Sequence, residues 1–494
     1  MNPDIVALME SASSTATSSR GDTAVCGCRP GHLSATCTAF ALRVGAALVL
    51  TFGLGSQAAR AETISSALAR AYMGNPDLNQ QRASTRATDE NVSKANSGYR
   101  PTVQGTAQFG YARTDGTIFS QNVHSNTFPN QAGFTVTENI FNGNRTTNGV
   151  KQAESQVMQS REQTRNTEQN TLQNGATAYM NVLRDTAILE LNKNNITVLE
   201  EQLRQTRDRF NVGEVTRTDV AQAESSLATA RSQYFTAQAN LSTSIANYRQ
   251  IIGVEPHRLE AARPIDRLLP SRLEDAIVVA LAEHPGIQAA FHNVDAAALQ
   301  VQIAEGALYP TLNVVAGVTQ ANAQQGLPTY SQFQATALAQ LNVPLYQGGQ
   351  EYATIRQAKE LLAQARLQAD LQRDQIRANV VSAWGQLESS KAVIRSSEAA
   401  VKSSEIALDG VREEAKVGQR TTLDVLMAQQ TLLQSRVSLV TAQRDRVVAS
   451  YAVDAATGRL TAANLGLAVI EYDPTIHFDQ VKDRWIGLRT PDGR

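Results

Sequence analysis

Apolar side chains step by three and four along residues 423–451: Leu423, Leu426, Leu433, Val437, Val440, Val447 and Tyr451, with Gln430 and Arg444 on the same stripe. An upstream stripe places Leu227, Tyr234, Leu241 and Tyr248 at sevens, with Ile245 and Ile252 between them. A spacing averaging about 3.5 predicts helices packed as left-handed coiled coils. Ahead of each stripe lies a helical stretch without proline, 145–210 and 350–416. At 1.5 Å per residue each would be on the order of 100 Å long. Short turns containing Gly213 and Gly418 join each long helix to its shorter partner, which runs to about 252 or 457. The other faces carry Gln, Ser, Thr and Asn, and suit a wet cavity as well as bulk solvent.

A different period occupies two other regions. Val103, Gly105, Ala107, Phe109 and Tyr111 alternate with Thr102, Gln104, Thr106 and Gln108. Leu312, Val314, Ala316 and Val318 do the same, as do Phe333, Ala335, Ala337, Ala339, Leu341 and Val343 against Gln334, Thr336, Gln340 and Asn342. Strands are expected over 102–112, 132–141, 311–319 and 333–344. Period-two alternation over about ten residues fits a membrane β-strand and equally a half-exposed soluble hairpin.

The chain repeats itself. Pro76 matches Pro285 and Pro101 matches Pro310, both at a shift of 209; Gly213 matches Gly418, Asp219 matches Asp424 and Gly253 matches Gly458, all at 205. Four residues are therefore missing from the second copy between Pro310 and Tyr346. Each copy reads as helix, hairpin, long helix, short helix, giving repeats over 62–256 and 271–460, a linker over 257–270 and a tail over 461–494. Asn75-Pro76 and His284-Pro285 interrupt the first helix of each copy (about 62–98 and 271–307), with proline well placed as a first helical residue.

The N-terminus adds a compartment. Arg43 precedes the apolar run 44–55, and Ala59-Arg60-Ala61 follows, the order of a secretory signal cut after Ala61. The run is too short to span a bilayer. Cys26, Cys28 and Cys37 all lie ahead of the cut, so the exported chain is expected to hold no disulfide or thiolate metal site. The leader takes four arginines and three acids with it, leaving 41 basic to 43 acidic residues. That balance gives no nucleic-acid footprint. Mean hydropathy is -0.28, and no apolar run of membrane-spanning length remains after the cut.

The strand count then constrains assembly. Two strands per copy make four per chain, too few to close a barrel, and lipid does not tolerate open sheet edges. If the strands span a membrane, several chains share one barrel. The hairpins lie at one end of the long helices and the glycine turns at the other, so the fold class expected is mainly α with a membrane β-barrel.

The motifs NPDL (75–78), YRPTV (99–103), ENIFNGN (138–144), FNVGEVTRTDV (210–220) and KVGQRTTLDV (416–425), in order and duplicated, resemble the TolC family of outer-membrane efflux and type I secretion channels. The resemblance covers 62–460, and the closing WIGLRTPDGR resembles the alphaproteobacterial branch with BepC-type channels. It implies a homotrimer with a shared 12-stranded barrel and a twelve-helix periplasmic tunnel. It also implies a periplasmic adaptor (membrane fusion) protein, an inner-membrane RND-type pump or ABC transporter, and drugs, dyes, detergents or proteins as cargo. By the same resemblance Asp424 would ring the closed mouth, Arg420 would link to Asp219 of a neighbouring inner helix, and Val212, Gly213, Glu214, Val417, Gly418 and Gln419 would meet the adaptor. Family gates can carry a second acid one turn after Asp424; here that place is Met427, so a single acidic ring is expected.

Simpler roles exist for the same residues. Thr216 to Asp219 and Thr421 to Asp424 each match a capping box, and an acid in a first helical turn suits the helix dipole. Each glycine matches a left-handed helix C-cap. No catalytic grouping is present: the histidines after the cut (His124, His257, His284, His292, His477) lack metal-ligand spacing, and there is no phosphate loop or nucleophile elbow. No enzyme activity, cofactor or metal is expected. The competing readings are a secreted coiled-coil filament or adhesin, and a soluble periplasmic scaffold.

Overall fold

The computed structural model describes residues 62–118, 121–324 and 327–493. The expected leader and cleavage site lie outside the described residues. Two short helices open the first repeat, α1 (Ile64–Gly74) and α2 (Pro76–Asn96). Asn75 separates them: its Oδ1 accepts from the amides of Asp77 (2.9 Å) and Leu78 (3.3 Å), and Pro76 takes the first helical position. The second repeat breaks the same way between α5 (Leu273–Glu283) and α6 (Pro285–Gly306), with His284 Nδ1 accepting from Gly286 N at 3.0 Å.

Six strands follow the chain in two groups: β1 (Thr102–Phe109), β2 (Ala112–Ile118), β3 (Gln121–Thr127) and β4 (Asn130–Phe141), then β5 (Thr311–Asn322) and β6 (Ser331–Asn342). The main sheet is antiparallel in the order β1-β4-β5-β6. Its rungs sort by polarity. Gly105, Phe134, Val318 and Ala335 share one rung, and Val103, Val136, Ala316 and Ala337 another. The rungs between them, on the opposite face, carry Gln104, Thr135, Gly317 and Thr336, or Thr106, Gly133, Thr319 and Gln334. The apolar face is the more exposed one: along β4, Phe134 is 64% exposed while its neighbours Gly133 and Thr135 are half-buried. In water that arrangement is inverted; against lipid it is the expected one. β1 and β6 are exposed throughout, and the outer edge of each pairs with nothing among the described residues.

Between β1 and β4 the chain folds into the separate β2–β3 hairpin. Polar contacts shape it: Asp115 meets Arg113 and His124, each at 2.9 Å. Tyr111 and Phe128 pack at its base as a tilted pair with ring centroids 5.5 Å apart.

The strands turn into long helices through paired left-handed residues, Gly143-Asn144 before α3 and Gly348-Gly349 before α7. α3 (Arg145–Asn211) and α7 (Gln350–Lys416) have 67 residues each, and α4 (Arg217–Ile252) and α8 (Thr422–Thr457) have 36. Half-length partners explain the packing. Each long helix rests on α2 or α6 near the sheet and on its own partner, α4 or α8, farther away. Of the stripe read along α8, Leu426, Leu433, Val447 and Tyr451 are buried, and a second line, Val425, Leu432, Ala449 and Val453, is buried as well. α8 therefore packs on two sides, with Leu426 joining Leu199, Leu203 and Leu227 of the first repeat and Val425 joining Leu408 of α7. Leu423 and Gln430, on the same stripe near the turn, stay exposed.

The main core lies midway, where the short helices meet the long ones. Leu68, Leu78, Leu172, Tyr179, Tyr248, Ile252, Tyr451 and Leu460 close around it. Tyr179 Oη sits 2.7 Å from the carbonyl oxygens of both Glu62 and Glu260. The linker is thereby tied to the first described residues, which also form a parallel bridge from Glu62 to Leu259. The tail contains a further helix, α9 (Pro474–Val481), capped by Asp473 and packed on α2.

Candidate functional site

The ends of the α3–α4 and α7–α8 hairpins, farthest from the sheet, hold the residues singled out from the sequence. Both turns close the same way. Gly213 N donates to Phe210 O (3.0 Å) and Glu214 N to Arg209 O (2.9 Å); Gly418 N donates to Ala415 O (3.3 Å) and Gln419 N to Glu414 O (2.9 Å). These crossed bonds satisfy the last carbonyls of each long helix and require a left-handed residue. Gly213 (φ +82°) and Gly418 (φ +77°) supply it. Val212 and Val417, just before the glycines, are 72% and 71% exposed. The turns thus present two matching apolar tips to the surroundings.

The returning helices start on full capping boxes. Thr216 N and Oγ1 both donate to Asp219 Oδ2, at 2.8 and 2.7 Å, and Asp219 N donates back to Thr216 Oγ1 at 3.3 Å. In the second repeat Thr421 N and Oγ1 donate to Asp424 Oδ2, both at 2.9 Å, and Asp424 N returns a bond at 3.2 Å. These bonds hold both carboxyls below the usual aspartate range. For Asp219 the Thr216 hydroxyl is the larger cause, and for Asp424 the Thr421 amide. Both acids are therefore ionised across neutral pH, while only one oxygen of each is used by the cap.

Within the chain Arg420 does not reach Asp219. Its Nε donates to Glu414 Oε2 at 2.9 Å, and Glu414 with nearby Asp424 pushes the guanidinium further up. Glu414 is a member of this site that sequence reasoning passed over, because it faces Arg420 around a turn and not at helical spacing. The first repeat carries the reverse order, Arg209 on the long helix and Glu214 in the turn, 3.0 Å apart. Arg207 meets Glu224 at 2.6 Å and its counterpart Arg412 meets Gln429 at 3.1 Å, bracing each hairpin just behind its turn. Met427 is exposed one turn after Asp424. Among the described residues no group of acids, histidines or cysteines is placed to hold a metal ion.

A lipid-facing sheet with two open edges, carried on helices about 100 Å long that end in charged turns, defines a channel subunit of the outer membrane. The chain belongs to the outer membrane efflux protein family, whose family model matches residues 63–254 and 276–459. It is 44% identical over 451 residues to the outer membrane efflux protein BepC of Brucella suis biovar 1, covering 91% of this chain and 97% of that one. It is 26% identical over 433 residues to outer membrane protein TolC of Escherichia coli K12, covering 83% and 85%. The fold matches the CmeC outer membrane channel of Campylobacter jejuni with a TM-score of 0.72 at 15% identity, over 85% of this chain and 89% of that one. The chain is an outer-membrane efflux channel subunit: the sheet sits in the outer membrane and the helices extend into the periplasm.

Proposed function

We propose that three copies close a single twelve-stranded barrel and continue it as a twelve-helix tunnel. That tunnel would be the outer-membrane part of a tripartite machine exporting small toxic compounds or proteins. The observation that carries the reading is the sheet itself: an apolar exposed face bounded by the unpaired edges of β1 and β6. The edges run antiparallel to each other, so β6 of one copy meets β1 of the next in continuous register direction. The exposed tips at Val212 to Glu214 and Val417 to Gln419 are proposed to dock a periplasmic adaptor that links the tunnel to an inner-membrane pump or ABC transporter, which supplies the energy.

At the mouth, Asp424 of three copies would form one acidic ring, favouring cations and binding polycations. Arg420 is proposed to hold the mouth closed by exchanging Glu414 for the Asp219 carboxylate of an adjacent turn. Planar-bilayer conductance tests the ring. Asp424→Asn keeps an acceptor for Thr421 and removes only the charge; Asp424→Ala removes both. Cation selectivity and polycation block should fall equally in the two variants, while only Asp424→Ala should add noise from a frayed helix start. Unchanged selectivity and block in Asp424→Asn sink the ring assignment. Increased drug and dye susceptibility of a deletion strain tests the efflux role.

A further inference from the structure

The tail climbs along α2 toward the sheet. His477 Nδ1 pairs with the buried Asp89 carboxylate at 2.9 Å, and Phe478 seats in the groove formed by Val92, Ala153 and Val157. Higher up, Asn96 Nδ2 donates to Lys482 O (3.0 Å), Ser93 Oγ to Arg484 O (3.1 Å) and Arg100 Nη1 to the same carbonyl (2.7 Å). The chain then reverses at Gly487 (φ +131°), and Asp492 returns to within 3.9 Å of Arg86. Trp485, Ile486 and Leu488 are therefore the part of the tail nearest the sheet. They are 68%, 89% and 104% exposed, while Ser93, Asn96 and Arg100 hold the adjoining tail through the backbone carbonyls of Lys482 and Arg484.

Their height is set by Arg100. Its guanidinium lies 4.7 Å over the Trp485 ring, and β1 starts two residues later at Thr102. At that same level the other strands end on exposed rings: Phe141 as the last residue of β4, Tyr309 before β5 and Tyr346 after β6, with Tyr99 before β1. Rings at the feet of lipid-facing strands make an interfacial girdle. We propose that the reversal Trp485-Ile486-Gly487-Leu488 is a membrane anchor that joins this girdle and enters the periplasmic leaflet of the outer membrane, with Arg484 and Arg489 flanking it at the headgroups. Apolar tips bracketed by cations are what an anionic phospholipid surface takes up. Phe478 is seated on α2 and α3, and Trp485 lies below the start of β1, whereas the edge a second copy must pair with is the strand from Thr102 to Phe109 above it. That placement favours lipid over a neighbouring subunit.

The chain has two tryptophans, Trp384 and Trp485, so Trp384→Phe leaves one reporter. Full-length protein carrying it is reconstituted in phospholipid vesicles with lipids brominated high on the acyl chain. Trp485 emission should be largely lost relative to unbrominated vesicles, and iodide in the water should quench it little. Should Trp384→Phe fail to assemble, the difference between wild type and Trp485→Phe carries the same signal. No bromolipid quenching overturns the proposal: with strong iodide quenching the reversal lies in water, and without it the reversal is covered by a second copy.

Discussion

The two hairpin turns farthest from the sheet share a backbone and differ in charge. Each has a glycine cap, a Thr-x-x-Asp box and a brace from an arginine on the long helix. Yet the first places a cation on the long helix and an acid in the turn, and the second reverses the order. The turn geometry needs only the glycine and the box, because those supply the crossed bonds that end each long helix and the cap bonds that start each returning one. The charges are left free to diverge. The same division appears at the helix breaks, where Asn75 and His284 perform one capping task with different side chains. Duplication here conserves the hydrogen bonds that end and start helices, and lets the groups that carry charge specialise.

The helix breaks give the largest expected effect. His284 caps α6 through an unprotonated Nδ1, and burial pushes its pKa down to about 4. The folded state thus disfavours the proton that the unfolded chain accepts near pH 6.5. Stability from this group is complete above the unfolded value and is lost as pH falls toward 4, by on the order of 3 kcal/mol. Asn75 has no such proton. Copying it into the second repeat as His284→Asn should keep the cap and flatten the response. The measurement is the heat-induced loss of helical signal at pH 7 and pH 4.5. If wild type and variant lose stability in parallel between those values, His284 is not the group responsible. A bulkier change at Gly458 would confuse the test, since a Cβ there would lie 2.7 Å from His284 Cα.

This contrast was legible in the sequence as a shift of 209, but only as matching prolines; that the histidine replaces the asparagine cap required the coordinates. The long helices were legible because nothing interrupts them and their apolar stripes hold a 3.5 spacing. The fold class followed from those stripes together with strand alternation, and the family match and structural likeness bear it out. The β2–β3 hairpin was not legible, because neither face is continuously apolar: Arg113, Asp115 and Thr117 stand opposite Asn126, His124 and Asn122, and on the other face Thr114 opposite Ser125 lies between Ala112 and Val123. Without an apolar side no alternation forms. The Arg420 partner was hidden for another reason, since a capped turn brings together residues six apart that helix spacing rules do not pair. α9 carried a usable signal that went unread, Asp473 as cap followed by Pro474 at the first helical position.

A smaller effect sharpens the charge reversal at the mouth. Glu414 occupies Arg420, so on the proposed latch it competes with Asp219 and favours the open mouth. Glu414→Gln should release Arg420 and lower the open-to-closed ratio, by up to about fivefold for one exposed pair. The mirrored change Glu214→Gln frees Arg209, which has no assigned latch partner, and should leave gating unchanged. Single-channel open probability distinguishes the two. Equal effects of both substitutions, or a rise for Glu414→Gln, remove Arg420 from the latch.

The smallest expected effect concerns the two ion pairs that the repeat reproduces without change. Arg231 meets Glu200 at 2.8 Å and, 205 positions on, Arg436 meets Glu405 at 2.8 Å. All four side chains are about half exposed. Exposed pairs of this kind couple by about 0.2–1 kcal/mol and weaken with salt. Since geometry and exposure are alike, double-mutant cycles on isolated channels should return the same small coupling for both pairs. The cycles become informative once the adaptor is present. An adaptor that grips both hairpins alike would dehydrate the two pairs together and raise both couplings. A rise confined to Arg436–Glu405 would show that the second repeat takes the docking partner first, and would extend the asymmetry of the turn charges along the hairpins.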